Sequence, residues 1–134
     1  MKEPRDIRLG KLELEIMKVV WDRDKATVAE VQRSLSRNPP RAYNTILTMM
    51  RKLEAKGYLA HATEDRTFIY HATISQDNVR RSVLADIVDR VFDGSAQLLV
   101  SGLVDYKKLS AREVREIRDL LGAHAARRNR KPAE

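Results

Sequence analysis

Asn44, Thr45, Thr48, Arg51 and Lys52 are hydrogen-bonding side chains gathered in one short stretch, YNTILTMMRKLEAKG. At about 100° per residue, Asn44, Thr48 and Arg51 share one side of a helix, with Thr45 and Lys52 on one flank and Leu47 on the other. Such residues suit the edges of stacked bases and the phosphates beside them. The Asn44 carboxamide offers the donor–acceptor pair that matches adenine, and Arg51 or Lys52 suits guanine or phosphate. Thr45 and Thr48 suit phosphate or a base edge. Tyr43 opens the stretch and belongs to the same candidate surface. Leu47 has two readings, contact with a thymine methyl or packing against the preceding turn, and both stay open.

A helix with such a face must be held from behind. Ile46, Met49, Met50 and Leu53 form the opposite, apolar side, and Gly57 stands where a C-terminal cap belongs. Upstream, RLGKLELEIMKVVWDRD places Leu9, Leu12, Ile16, Val19 and Val20 on one helical face. TVAEVQRSL then opens with a capping box, Thr27 with Glu30, buries Val28, Val31 and Leu35, and runs into the breaker Asn38–Pro40. Downstream, YLAHAT and TFIYHAT flank the polar tip EDR, which predicts a β-hairpin carrying Arg66 at its end. Three helices followed by a hairpin is the order of a winged helix-turn-helix. In that layout the third helix enters the major groove and the hairpin reaches the backbone beside it.

From Ser75 the helical period returns: Val79, Val83, Leu84, Ile87, Val88, Val91 and Phe92 precede Gly94. SAQLLVSGLVDY predicts another helix. SAREVREIRDLL predicts a last one, with the capping box Ser110–Glu113 and the stripe Val114, Ile117, Leu120 and Leu121. The fold class is mainly α: a winged helix over residues 1–74, a three-helix domain over 75–126, and a basic, flexible tail over 127–134. The second domain is too small to build a dry core alone. A homodimer answers this, with Val83, Leu84, Ile87, Val91, Leu98, Leu99, Leu103, Val114, Ile117 and Leu121 as the expected interface. The alternative is packing back onto its own winged helix.

Charge agrees with the first surface. The 134 residues carry a formal net charge of +7. Between Val31 and Thr63 the bases are Arg33, Arg37, Arg41, Arg51, Lys52 and Lys56 against the single acid Glu54, a local excess of +5. A merely solvated surface mixes its signs, so this bias favours phosphate contact. The absence of cysteine excludes disulfides, thiolate metal sites and a cysteine nucleophile.

Other chemistry is thin. His61 and His71 are expected near each other across the hairpin, but without a carboxylate partner they are a weak metal signal, and neither metal nor cofactor is expected. Asp86, Asp89 and Asp93 read as a solvated helix face, and Trp21 as core. No phosphate-binding glycine loop, nucleophile elbow or other catalytic constellation is present, so an enzyme is not expected. The charged first residues do not resemble a signal peptide, and no apolar run approaches the roughly 18 residues of a membrane span. The reading is of a soluble, cytoplasmic protein. Two binding functions remain: reading double-stranded DNA, or a winged helix that docks on another protein with an incidental basic face.

From about Leu9 to Leu121 the chain resembles the penicillinase repressors of the BlaI/MecI/CopY type. The marks are LGKLELEIMKVVW, TVAEV, RAYNTILTMMRKLEAKGYL, the wing DRTFIYHATIS and the ending VREIRDLL. The resemblance implies a homodimeric transcriptional repressor on an inverted-repeat operator with TACA/TGTA half-sites, read by positions matching Asn44, Thr45, Leu47, Thr48 and Lys52. Leu47 departs from relatives that carry a basic residue there. Implied targets are genes for β-lactamase or penicillin-binding proteins, and an implied partner is a membrane-bound zinc metalloprotease sensor. In the best-known branch release follows cleavage of an Asn–Phe bond, and the matching positions here are Gly102 and Leu103. Gly102 reads first as a helix-packing glycine and second as a weak point, about 1 kcal/mol worse than Ala in a helix. The cysteine-rich motif of the copper-responsive branch is missing.

Overall fold

The computed structural model describes residues 7–35, 40–106 and 108–130. It divides into two units, one up to Asp86 and the other from Ile87.

The first unit contains α1 (Lys11–Arg23), β1 (Lys25–Ala26), α2 (Val28–Ser34), α3 (Tyr43–Ala55), β2 (Leu59–Glu64), β3 (Thr67–Ala72) and the start of α4 (Gln76–Arg90). Its core joins part of each stripe expected from periodicity, with Met17 added and Leu9, Leu12, Val19, Leu35 and Met49 only half-buried at its edge. Ile16, Met17 and Val20 of α1 meet Val28 and Val31 of α2 and Ile46, Met50 and Leu53 of α3, closed by Tyr58, Leu59 and Tyr70. The α2 capping box forms as its sequence pattern requires: Thr27 Oγ1 accepts from the Glu30 N–H at 3.2 Å, and Glu30 Oε1 accepts from the Thr27 N–H at 2.9 Å. Asn38 and Pro39 of the breaker lie outside the described residues; α2 ends at Ser34.

The end of α3 fixes where the wing starts. The Tyr58 N–H donates to Leu53 O at 3.0 Å and the Gly57 N–H to Glu54 O at 2.9 Å, with Gly57 at φ +88°. That paired closure needs a left-handed residue, which glycine supplies without a Cβ clash. β2 and β3 then pair antiparallel from Leu59↔Ala72 to Glu64↔Thr67. Only Asp65 and Arg66 bridge them, at φ 48° and 67°, the handedness of a two-residue type I′ turn.

Three features differ from the sequence reading. β1 adds a third strand, in the order β1-β3-β2, through the pairs Lys25↔His71 and Ala26↔Tyr70; two residues are too few for periodicity to register. The first unit extends past residue 74, because Val79 in the first turn of α4 is buried in the N-terminal core. The last helix continues through residues 127–130, the first part of the expected flexible tail. Alanines favour the helix, and arginines in its last turn complement the dipole.

The second unit holds the end of α4, α5 (Ala96–Tyr106) and α6 (Ala111–Arg130). Ser110 caps α6 as expected: its Oγ accepts from the Glu113 N–H at 3.0 Å, and Glu113 Oε1 accepts from the Ser110 N–H at 3.2 Å. Among its described residues none is buried. No helix of the described residues is long and apolar enough to cross a membrane.

Candidate nucleic-acid interface

Burying Ile46, Met50 and Leu53 turns the opposite side of α3 outward. Tyr43, Asn44, Thr45, Thr48, Arg51 and Lys52 are all exposed. Leu47 is half-buried and packs against the core rather than only the preceding turn, and it also lines a groove beside this face. The hairpin stands beside this face. The groove there, of about 420 Å³, is lined by Tyr43, Leu47 and Arg51 from α3, by Arg66, Thr67, Phe68 and Tyr70 from the wing, and by Thr27, Val28 and Ala29 at the start of α2. It therefore brings together four of the candidate DNA-binding residues, Tyr43, Leu47, Arg51 and Arg66. Asn44, Thr45, Thr48 and Lys52 lie outside its lining.

Three residues of this region, Phe68, His61 and Glu54, are not among the DNA-binding residues expected from the sequence. Phe68 is 41% exposed although it is aromatic. Its ring stacks on His61 with centroids 3.9 Å apart and planes 13° apart. The His61 Nδ1 lies 2.7 and 2.9 Å from the two carboxylate oxygens of Glu54 on α3. A carboxylate only accepts, so Nδ1 is the donor. The signal was the two-residue alternation of β3, which sets Phe68 on the same face as buried Tyr70. The expected neighbourhood of His61 and His71 is corrected: His61 pairs with Tyr70 and Ala60 with His71, so the two imidazoles lie on opposite faces of the sheet.

In the groove lining, burial pushes the Tyr70 hydroxyl above the usual tyrosine range, and the Glu54 charge adds to this while Arg51 opposes it. Trp21 is half-buried rather than fully core, and its Nε1–H donates to Ile74 O at 2.9 Å.

Comparison with known proteins decides the family. The penicillinase repressor family model matches residues 9–123. The chain belongs to the penicillinase repressor family. It is, accordingly, a DNA-binding transcriptional repressor. It is 30% identical to a penicillinase repressor of Bacillus licheniformis over 90% of this chain and 94% of the relative. It is also 30% identical to the transcriptional regulator BlaI of Mycobacterium tuberculosis (strain CDC 1551 / Oshkosh), over 94% and 92% of the two chains. A solution structure of the DNA-binding domain of the repressor BlaI aligns at 36% identity and TM-score 0.48, covering 58% of this chain and 93% of its own.

The residues expected to form a dimer of this repressor present their apolar side chains to solvent. Val83, Leu84, Val91, Leu98, Leu103 and Leu121 are exposed, while Ile87, Leu99, Val114 and Ile117 are half-buried. Gly102 and Leu103 lie within α5. A Cβ on Gly102 would meet Phe92 Cε1 at 3.7 Å, an ordinary contact. Within this chain a Cβ has room at that position.

Proposed function

We propose that this penicillinase repressor family member acts in the cytoplasm as a homodimer that sets its two α3 helices into an inverted-repeat operator. The observation that carries the reading is the exposed row Asn44, Thr45, Thr48, Arg51 and Lys52, opposite the buried Ile46, Met50 and Leu53. Asn44 reads adenine, Arg51 or Lys52 reads guanine or holds phosphate, and the threonines fix the helix against the strand. Arg66 meets phosphate from the wing. Tyr43 and Leu47 border this surface, with Leu47 chiefly a packing residue.

The dimer is supported by the second unit, where Leu98, Leu103 and Leu121 are 52%, 44% and 61% exposed. Two recognition helices about one DNA turn apart need a two-fold axis, and these apolar faces provide surface to bury across it. The family resemblance supports control of β-lactamase or penicillin-binding protein genes and release by a membrane-bound metalloprotease acting near Gly102–Leu103.

Fluorescence anisotropy of the full chain against a TACA/TGTA inverted repeat and a scrambled duplex, over a salt series, tests the reading. The expected result is tight binding to the repeat alone, with two protomers per duplex. Equal, weak and steeply salt-dependent binding to both duplexes would reject this operator. Absence of binding to either would reject DNA reading by α3.

A further inference from the structure

The groove beside α3 and the wing combines two cations with aromatic surface: α3 contributes Arg51 and Leu47, and the wing contributes Arg66 and Phe68. Phe68 does not belong to the buried core, yet it is not loose. His61 stacks beneath it at 3.9 Å, and Glu54 holds His61 from α3. This chain ties a wing side chain to the recognition helix through one ring contact and one charge-assisted hydrogen bond. A mere surface phenylalanine needs no such support.

We propose that this groove is a seat for one sugar–phosphate strand of the duplex. Arg51 and Arg66 flank the phosphates, and Phe68 lies under a deoxyribose as an apolar contact. His61 and Glu54 are positioning residues that hold the Phe68 ring at the height of the strand. The inference rests on the DNA-reading assignment of α3 and goes beyond it. When a helix occupies the major groove and a wing reaches the neighbouring backbone, the strand between them must cross the space that separates helix from wing. In this protein that space is the Arg51–Phe68–Arg66 groove. Arginine is suited to phosphate, while the sugar face offers carbon surface that only an apolar group desolvates favourably.

The assignment predicts a contact that adds affinity without adding charge neutralisation. Replacing Phe68 by Ala in the full chain should weaken binding to the TACA/TGTA duplex about fivefold, the loss of a few tens of Å² of apolar contact. The slope of log K against log salt should stay unchanged, because no phosphate contact is lost. Hydroxyl-radical footprinting should show renewed cleavage at the sugars between the two grooves. F68L should recover part of the affinity. E54A should reproduce the sugar exposure with Phe68 still present, whereas E54Q, which keeps an acceptor for His61, should retain most of the protection. Circular dichroism melts of every variant separate these effects from unfolding.

Wild-type affinity and unaltered sugar protection in folded F68A would overturn the seat while leaving α3 recognition standing, provided that N44A, outside the groove, still weakens binding to the repeat. A sugar footprint lost in F68A but intact in E54A would overturn the positioning role alone. Failure of the wild-type protein to bind any duplex would overturn both the seat and the DNA reading beneath it.

Discussion

Lys56 Nζ lies 2.8 Å from Glu13 Oε2 and joins the end of α3 to the start of α1. The same ammonium donates to Arg8 O at 3.1 Å, and Glu13 Oε1 accepts the Gly10 N–H at 2.9 Å. Glu13 is the buried charged residue of the described chain, at 4% exposure. Burial raises its pKa, but the hydrogen bonds from Lys56 and Gly10, with the charges of Lys56 and Lys52, outweigh it, so the net direction is down.

A carboxylate depressed in the folded state contributes stability above its unfolded pKa, near 4.5. That contribution is lost as pH falls through the folded value. We expect E13Q to lower stability at pH 7 by about 1–3 kcal/mol, the usual loss for a disrupted charged hydrogen bond. Denaturant titrations across pH 7 to 3 should show the gap between wild type and E13Q closing with acid. A pH-independent gap would assign the loss to packing instead.

Arg66, the phosphate contact proposed for the wing, is expected to set stability against DNA affinity. It sits at φ 67° in a two-residue turn, a conformation that costs an ordinary side chain roughly 1 kcal/mol and glycine almost nothing. R66G should therefore raise the stability of the unit by up to ~1 kcal/mol, or leave it unchanged after glycine's entropy is counted. Its DNA affinity should fall, and the salt slope should shrink by about 1, as expected for one lost phosphate contact. A melt and a salt series on the same sample measure both. An unchanged slope would remove Arg66 from the interface.

Much of this was legible in the residues, for identifiable reasons. The α3 face follows from 3.6-residue periodicity, and Gly57 from the left-handed closure that only a cap needs. The capping boxes at Thr27 and Ser110 are local and form as patterned. What escaped was non-local. β1 is defined only by pairing with a strand far along the chain, at Ala26↔Tyr70. The Glu54–His61–Phe68 series joins a helix to both strands of the wing, and nothing in the spacing of those residues fixes their contact. Val79 reads as one more member of the α4 stripe, although it is buried in the N-terminal core.

Asn44 and Lys52 should separate specificity from affinity. Both are exposed on α3. N44A should reduce discrimination between the repeat and a variant altered at one adenine by about 1–3 kcal/mol, while scrambled-duplex binding stays nearly constant. K52A, if its role is phosphate contact, should weaken binding to both duplexes alike and reduce the salt slope by about 1. Competition titrations with the two duplexes distinguish these patterns. Equal loss on both duplexes for N44A would remove its base-reading role.

Gly102 offers a test of the proposed release by cleavage. An added Cβ has room at 3.7 Å from Phe92, so G102A should fold and should strengthen α5 by about 1 kcal/mol. Cleavage requires the helix to open locally, so the same change should slow nicking at Gly102–Leu103 about fivefold when opening is in fast equilibrium. Limited proteolysis followed by mass spectrometry locates the cut and gives its rate. A cut elsewhere, at a rate G102A does not alter, would detach this bond from the release mechanism.

The second unit supplies the test of assembly. Leu121 on α6 is 61% exposed and Leu98 on α5 is 52% exposed. Fully burying a leucine stabilises an interface by about 1.5–3 kcal/mol, and two-fold symmetry counts each position twice. L121E should therefore weaken self-association by at least ~100-fold, with the added cost of two buried carboxylates. Sedimentation equilibrium should report a dimer for the wild type, as proposed, and a monomer for L121E. The winged-helix unit, whose core contains neither residue, should keep its fold by amide exchange. Operator affinity should then collapse toward that of one half-site, because the link that lets the second α3 bind locally is gone. If L121E leaves the wild type's dimer and its operator affinity intact, Leu121 is outside the interface; if the wild type itself sediments as a monomer while binding the repeat tightly, two protomers meet only on DNA.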